Sequence, residues 1–161
     1  MGITVDESCA IDAPLETVWR VLTGVSAYSE WNPFIVSGRS DGDPTVVGTR
    51  LTFRIVRPDG KRSPSTERVT EVEGPQVGAD GQASARWVYD YIGPMSGIGL
   101  IRAQRVQTLH QAPGQPTRYA SHWEASGLLV PVAIRRDDIA AGMADQTAAL
   151  KHVAEASEPG S

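Results

Sequence analysis

Apolar and polar residues alternate through most of this chain, and the spacing becomes helical near the start and again at the end. Residues 2–11 carry β-branched side chains in partial alternation and predict a strand. Leu15, Val18, Trp19 and Leu22 then fall on one face of a short amphipathic helix ending near Gly24. Asp12 or Ala13 supplies its N-cap region, Pro14 suits its first turn, and Glu16 favours the positive end of its dipole. A second short helical piece over 25–30 leads to Asn32-Pro33, where the proline pushes Asn32 out of helical geometry. Asn32 is therefore read as a turn former rather than a catalytic amide.

Six further strands are predicted over 34–40, 49–57, 62–73, 83–92, 100–110 and 118–126. Leu51, Phe53 and Ile55 share one face of the second of these, and Trp87, Tyr89 and Tyr91 share one face of the fourth. Turns are marked by Asp41-Gly42-Asp43-Pro44, Pro58-Asp59-Gly60 and Ala112-Pro113-Gly114, with loops over 74–81 and 93–99. Residues 132–156 return to helical spacing through Ile134, Ile139, Met143, Thr147, Leu150 and Val153. Asp137 and Asp138 suit the start of that helix, and a frayed tail is expected over 157–161. The order predicts an α+β fold: a curved antiparallel sheet of about seven strands around one long C-terminal helix. Residues 1–156 are read as one domain. Only the long helix can cover the sheet's apolar face, and a curved sheet held off one helix leaves a cavity.

Composition narrows the partners. With 161 residues, 40% hydrophobic and 21% charged, the chain can bury a core and is not globally disordered. A net charge of -4 with scattered arginines lacks the concentrated basic surface that nucleic acid requires. Cys9 is the single cysteine, so it forms no internal disulfide and reads as a structural thiol. No basic-then-apolar leader and no apolar run of roughly 20 residues is present, so no membrane span is expected and a cytoplasmic protein is the default. His110, Glu124 and His152 lack metal-ligand spacing, so no metal and no cofactor are expected. The glycines of 93–99 lack a following Lys-Ser/Thr, which argues against phosphate binding and for a lid at a pocket mouth. A monomer or homodimer is expected.

Two stretches carry a family resemblance. The first is Ile11-Asp12-Ala13-Pro14 through Val18-Trp19, followed by Tyr28-Ser29-Glu30-Trp31-Asn32-Pro33-Phe34; the second is His122 through Pro131. Together they resemble the START-like superfamily, and within it the polyketide cyclase/dehydrase-type, or SRPBCC, proteins. The resemblance spans nearly the whole chain. It implies the helix-grip fold and an internal pocket for a hydrophobic or aromatic small molecule. Many relatives carry a His on the penultimate strand, where this chain offers Gln104 or Arg105.

Several side chains are candidates for chemistry. His122 and Glu124 lie two apart on one strand and leave the same face. If that face lines the cavity they form an acid–base pair suited to aldol cyclisation and dehydration; otherwise they are a solvent-facing stripe with Trp123 buried opposite. Of the strand arginines Arg54, Arg102 and Arg105, one pointing inward could hold a carboxylate, phenolate or enolate oxygen. Arg105 is grouped with His122 and Glu124 as the catalytic set. The ligand wall is assigned to Leu51, Phe53, Trp87, Tyr89, Tyr91, Met95, Trp123, Ile139 and Met143, with core packing as the alternative for the aromatics. Two readings follow: a cyclase or aromatase acting on a polyketide-like chain, or a carrier, sensor or sequestering protein without chemistry.

Overall fold

The computed structural model describes residues 2–157. Its strands are β1 (Gly2–Ile11), β2 (Ile35–Ser40), β3 (Arg50–Val56), β4 (Arg62–Val77), β5 (Ala83–Tyr91), β6 (Arg102–Gln111) and β7 (Thr117–Ser126). They form one antiparallel sheet of seven strands in the order β1-β7-β6-β5-β4-β3-β2, so the chain meanders from β2 to β7 and β1 closes against β7. Helix α1 (Leu15–Thr23) and the short α2 (Tyr28–Trp31) follow β1, while α3 (Val130–Ala133) and the long α4 (Arg136–Ala156) end the chain. This is the helix-grip arrangement.

Antiparallel partners share a sheet face, so register decides what faces α4. Val69 pairs with Tyr89, Tyr89 with Arg105, Arg105 with Trp123 and Trp123 with Val5, one rung across five strands. These side chains all lie on the concave side. Register shifts in β4 at Val69/Glu71 and Glu73/Gln76, and in β2 at Ile35/Ser37, add the local twist that curls the sheet.

The core forms where α1 and α4 meet the concave face. Leu15, Val18 and Leu22 of α1 pack with Met143, Leu150 and Ala154 of α4 and with Phe53, Trp87 and Leu109 of the sheet. Lys151 donates to the Ala10 carbonyl at 2.7 Å, tying the last turns of α4 to the end of β1. Gly142 lets α4 lie directly on the Phe34 ring, since a Cβ there would sit 2.2 Å from it. Phe34 is itself aimed by Asn32, whose Oδ1 accepts from the Phe34 and Ile35 amides at 3.0 and 2.8 Å. Asn32 is thus the turn former its sequence context predicts.

Two boundaries differ from expectation. Strand β4 runs on to Val77 because the shift at Glu73/Gln76 accommodates Gly74 and Pro75, which would break an ordinary ladder. The C-terminal helix is split: α3 stops at Ala133, Ile134 is extended at φ -127 and ψ 127, and α4 begins at Arg136. Pro131 suits the first turn of α3, and the break that follows turns Ile134 into the cavity. The expected tail lies, from residue 158 onward, outside the described residues. No described helix is long and apolar enough to cross a membrane.

Candidate functional site

A cavity of about 370 Å³ lies between the concave sheet and the first half of α4. Its sheet wall includes Phe53, Ile55, Tyr89, Tyr91 and Trp123, and α4 contributes Ile139 and Met143. Its exposed lining residues include Arg57, beyond β3, and Val132, Ala133 and Arg135. Six of the nine residues expected on the ligand wall therefore line it. The other three do not. Leu51 and Trp87 are fully buried in the core, where Trp87 donates to the Pro44 carbonyl at 2.9 Å. Met95 is 40% exposed on the 93–99 loop, and the loop expected to act as a lid contributes no residue to the cavity lining.

The buried cation of the cavity is Arg105, only 4% exposed. Its Nε donates to Ser121 Oγ and its Nη1 to Gln146 Oε1, both at 2.9 Å, while Nη2 is buried without a partner. Among the described residues Arg105 makes no ion pair. Arg54 and Arg102, the other candidates, are exposed. Around Arg105 the phenols are neutral: burial pushes Tyr89 up to about 12 and raises Tyr28 and Tyr119 as well. Tyr28 donates to the Leu22 carbonyl and Tyr119 to Gln107 Oε1.

Glu67, which the sequence reading passed over, is also in the cavity and 9% exposed. The Ser65 hydroxyl donates to its Oε1, and no described residue bonds its other oxygen. Burial lifts this carboxyl to about 7, against the pull of the Ser65 hydrogen bond and the charge of Arg105. A counter-ion that is protonated much of the time compensates a buried guanidinium poorly. The cavity wall therefore holds a buried, poorly compensated cation, one of whose donors has no partner.

His122 and Glu124 lie on the other side of the sheet. Trp123 points inward, so its two neighbours must point out; Glu124 is exposed and His122 partly so. His122 Nδ1 sits 2.6 Å from Asp6 Oδ1 and its Nε2 3.7 Å from Glu124 Oε2. The Asp6 hydrogen bond, more than the Glu124 charge, holds the imidazole above its ordinary range. A raised imidazole steadies the β1–β7 seam at low pH, and that support is lost as pH rises through the raised value. The cavity does not bring these two residues to Arg105. Replacing both, as His122→Ala with Glu124→Gln, is expected to leave affinity for a cavity ligand within about twofold, because exposed pairs contribute under about 1 kcal/mol even to the fold. A tenfold loss in calorimetric titration would contradict this placement.

Cys9 is half-buried beside the core, and burial pushes its thiol up, away from nucleophilic use. Among the described residues no group of three His, Cys, Asp or Glu side chains is placed to hold a metal ion.

Alternation held the signal for Glu67. Val69 and Ser65 share its face, and Val69 is core, so Glu67 had to point inward. Gln146, which anchors Arg105, falls one turn after Met143 on the buried face of α4. Ile134 carried no such signal, because its exposure to the cavity depends on the helix break.

Residues 2–155 match the family described as polyketide cyclase/dehydrase and lipid transport. No curated protein matches the sequence. Several solved structures share the fold. The di-domain ARO/CYC BexL from the BE-7585A biosynthetic pathway superposes with a TM-score of 0.72 at 14% identity, covering 98% of this chain and 51% of that one. The chain thus spans about half the length of that di-domain protein. The major latex-like protein 151 of Panax ginseng gives 0.68 at 12% identity over 95% of this chain and 97% of its own. Norcoclaurine synthase from Thalictrum flavum, solved with dopamine and hydroxybenzaldehyde, gives 0.60 at 18% identity over 98% and 90%.

Proposed function

The chain belongs to the polyketide cyclase/dehydrase and lipid transport family, and from that premise we propose that its cavity binds a hydrophobic, polyketide-like aromatic molecule by an acidic oxygen. The observation that carries this is Arg105, a buried cation lining the cavity with no ion-pair partner among the described residues and with its Nη2 left without a hydrogen-bond partner. A buried charge left uncompensated costs stability, and an incoming carboxylate, phenolate or enolate removes that cost. The bonds it donates to Ser121 and Gln146 hold the guanidinium still, so little reorganisation opposes binding.

The rest of the cavity suits such a ligand. A volume of about 370 Å³ is within the small-molecule range and accepts roughly two or three fused rings. Phe53 and Tyr89 pack edge to face at 5.7 Å between centroids, leaving a wall of π faces for a flat ring. An enolate formed in the cavity would be stabilised at Arg105 in the same way as a bound phenolate, which is the electrostatic part of a cyclisation. The relatives named above support a pocket of this kind through the shared fold.

The reading is tested with a matched pair, 2-naphthoate and its methyl ester, by isothermal titration calorimetry. The acid is expected to bind at least tenfold tighter than the ester, the effect of one charge-assisted hydrogen bond in a desolvated site. Equal affinities would show that the cavity does not select an acidic oxygen.

A further inference from the structure

We propose that Glu67 is the proton-transfer group of this cavity, working opposite Arg105 on the carbon beside a bound carbonyl. The proposal rests on the reading of Arg105 as the seat of an anionic oxygen, and it adds a second, opposing group to that site.

The geometry points to a bracket. Glu67 pairs in register with Tyr91, and Arg105 with Tyr89, two residues away on the same face of β5. The carboxyl and the guanidinium therefore flank the Tyr89–Tyr91 stripe diagonally, on strands whose axes are two spacings, about 10 Å, apart. A flat ligand stacked on that stripe turns one edge to Arg105 and the other to Glu67. One oxygen of Glu67 takes the Ser65 hydroxyl, which fixes the carboxyl, and the other has no bond from any described residue. The remaining carboxylate at the cavity, Asp138, sits half-exposed at the start of α4. Nothing in the packing requires an acid at Glu67: it makes no ion pair and its burial disfavours the charged form. Its raised proton affinity supports the role, since near neutral pH the group exists both as base and as acid.

The step balances without a co-reactant. The Glu67 carboxylate takes a proton from the carbon beside a ketone. The C–H electron pair becomes the new C=C bond, and the carbonyl pair moves onto oxygen as an enolate opposite Arg105. In a chain with a second carbonyl, the enolate carbon attacks that carbonyl carbon. A C–C bond forms, the second oxygen takes the proton back from Glu67, and the product is an isomer of the substrate with the carboxylate restored.

The test follows the loss of the CH2 proton signal of phenylacetone in D2O by proton NMR, with calorimetric binding measured in parallel. The wild-type protein is expected to accelerate exchange at least tenfold over buffer. Glu67→Gln is expected to lose roughly 100-fold of the protein-dependent rate, the size of a general-base contribution, while binding phenylacetone within about twofold of wild type. Phenylacetone that binds but exchanges at the buffer rate would overturn the proposal, as would wild-type exchange by Glu67→Gln. Failure of both phenylacetone and 2-naphthoate to bind would instead remove the cavity reading beneath it.

Discussion

Replacing Arg105 by methionine is expected to weaken 2-naphthoate binding by roughly 100-fold, about 3 kcal/mol, while the methyl ester loses less than about threefold. Methionine follows the arginine stem closely enough to keep the packing against Tyr89 and Trp123, its partners across the rung. What disappears is the guanidinium, and with it the unfilled Nη2 donor. Arg105→Lys separates charge from geometry. It retains the cation but cannot reach Ser121 and Gln146 with a rigid fork, so an intermediate loss of about tenfold is expected. Calorimetric titration of both ligands against all three proteins checks the series. Equal losses for acid and ester would mean that Arg105 shapes the cavity without reading charge.

The second large effect concerns stability. Glu67→Gln is expected to raise the unfolding free energy at pH 8 by about 3 kcal/mol and to change it little at pH 4. The carboxyl sits at about 7 in the folded protein against an ordinary 4.5, so folding favours its protonated form. That preference supports the fold fully below the ordinary value and is lost as pH rises through the folded one. Wild type should therefore weaken between about pH 4.5 and 7 relative to the variant. Glutamine removes the titration and still offers an oxygen to the Ser65 hydroxyl. A gap of this size corresponds to roughly 6–12 °C in melting temperature for a chain of this length. The seam at His122 loses support over an overlapping range, but it does so in both proteins and cancels in the comparison. Parallel melting curves for wild type and variant across this range would show that Glu67 is not perturbed. A variant that gains stability while losing proton exchange would mark Glu67 as a group kept for chemistry at the expense of the fold.

The location of the chemistry was harder to read than the fold. His122 and Glu124 attracted the acid–base reading because imidazole and carboxylate two apart on a strand must share a face. The same rule holds Trp123 to the opposite face, and a tryptophan between polar neighbours is the side that gets buried. Their Asp6 partner comes from the far end of the chain through the β1–β7 pairing, which local sequence does not display. Glu67 was legible in principle from the alternation with Val69, yet an isolated acid in a strand also reads as an ordinary exposed residue. Its burial follows from the curl of the sheet, which turns this part of β4 toward the cavity.

By itself, the sequence determined the element order, the two periodicities and therefore the helix-grip plan, because period and turn chemistry are local properties of the chain. It also placed the Tyr89–Tyr91 stripe and Phe53 on inward faces and put Met143 and Ile139 on the helix face that meets them. Tertiary structure alone decided which arginine is inside, since Arg54, Arg102 and Arg105 differ only in strand parity and in what packs above them. It also decided that Trp87 belongs to the core while Tyr91 faces the cavity, a consequence of where α4 lifts away from the sheet. The pairing of Arg105 with Gln146 joins residues 41 positions apart. The diagonal of Glu67 and Arg105 across β5 exists only once three strands are in register. Such long-range juxtapositions arise from the packing of whole elements, and no local pattern encodes them.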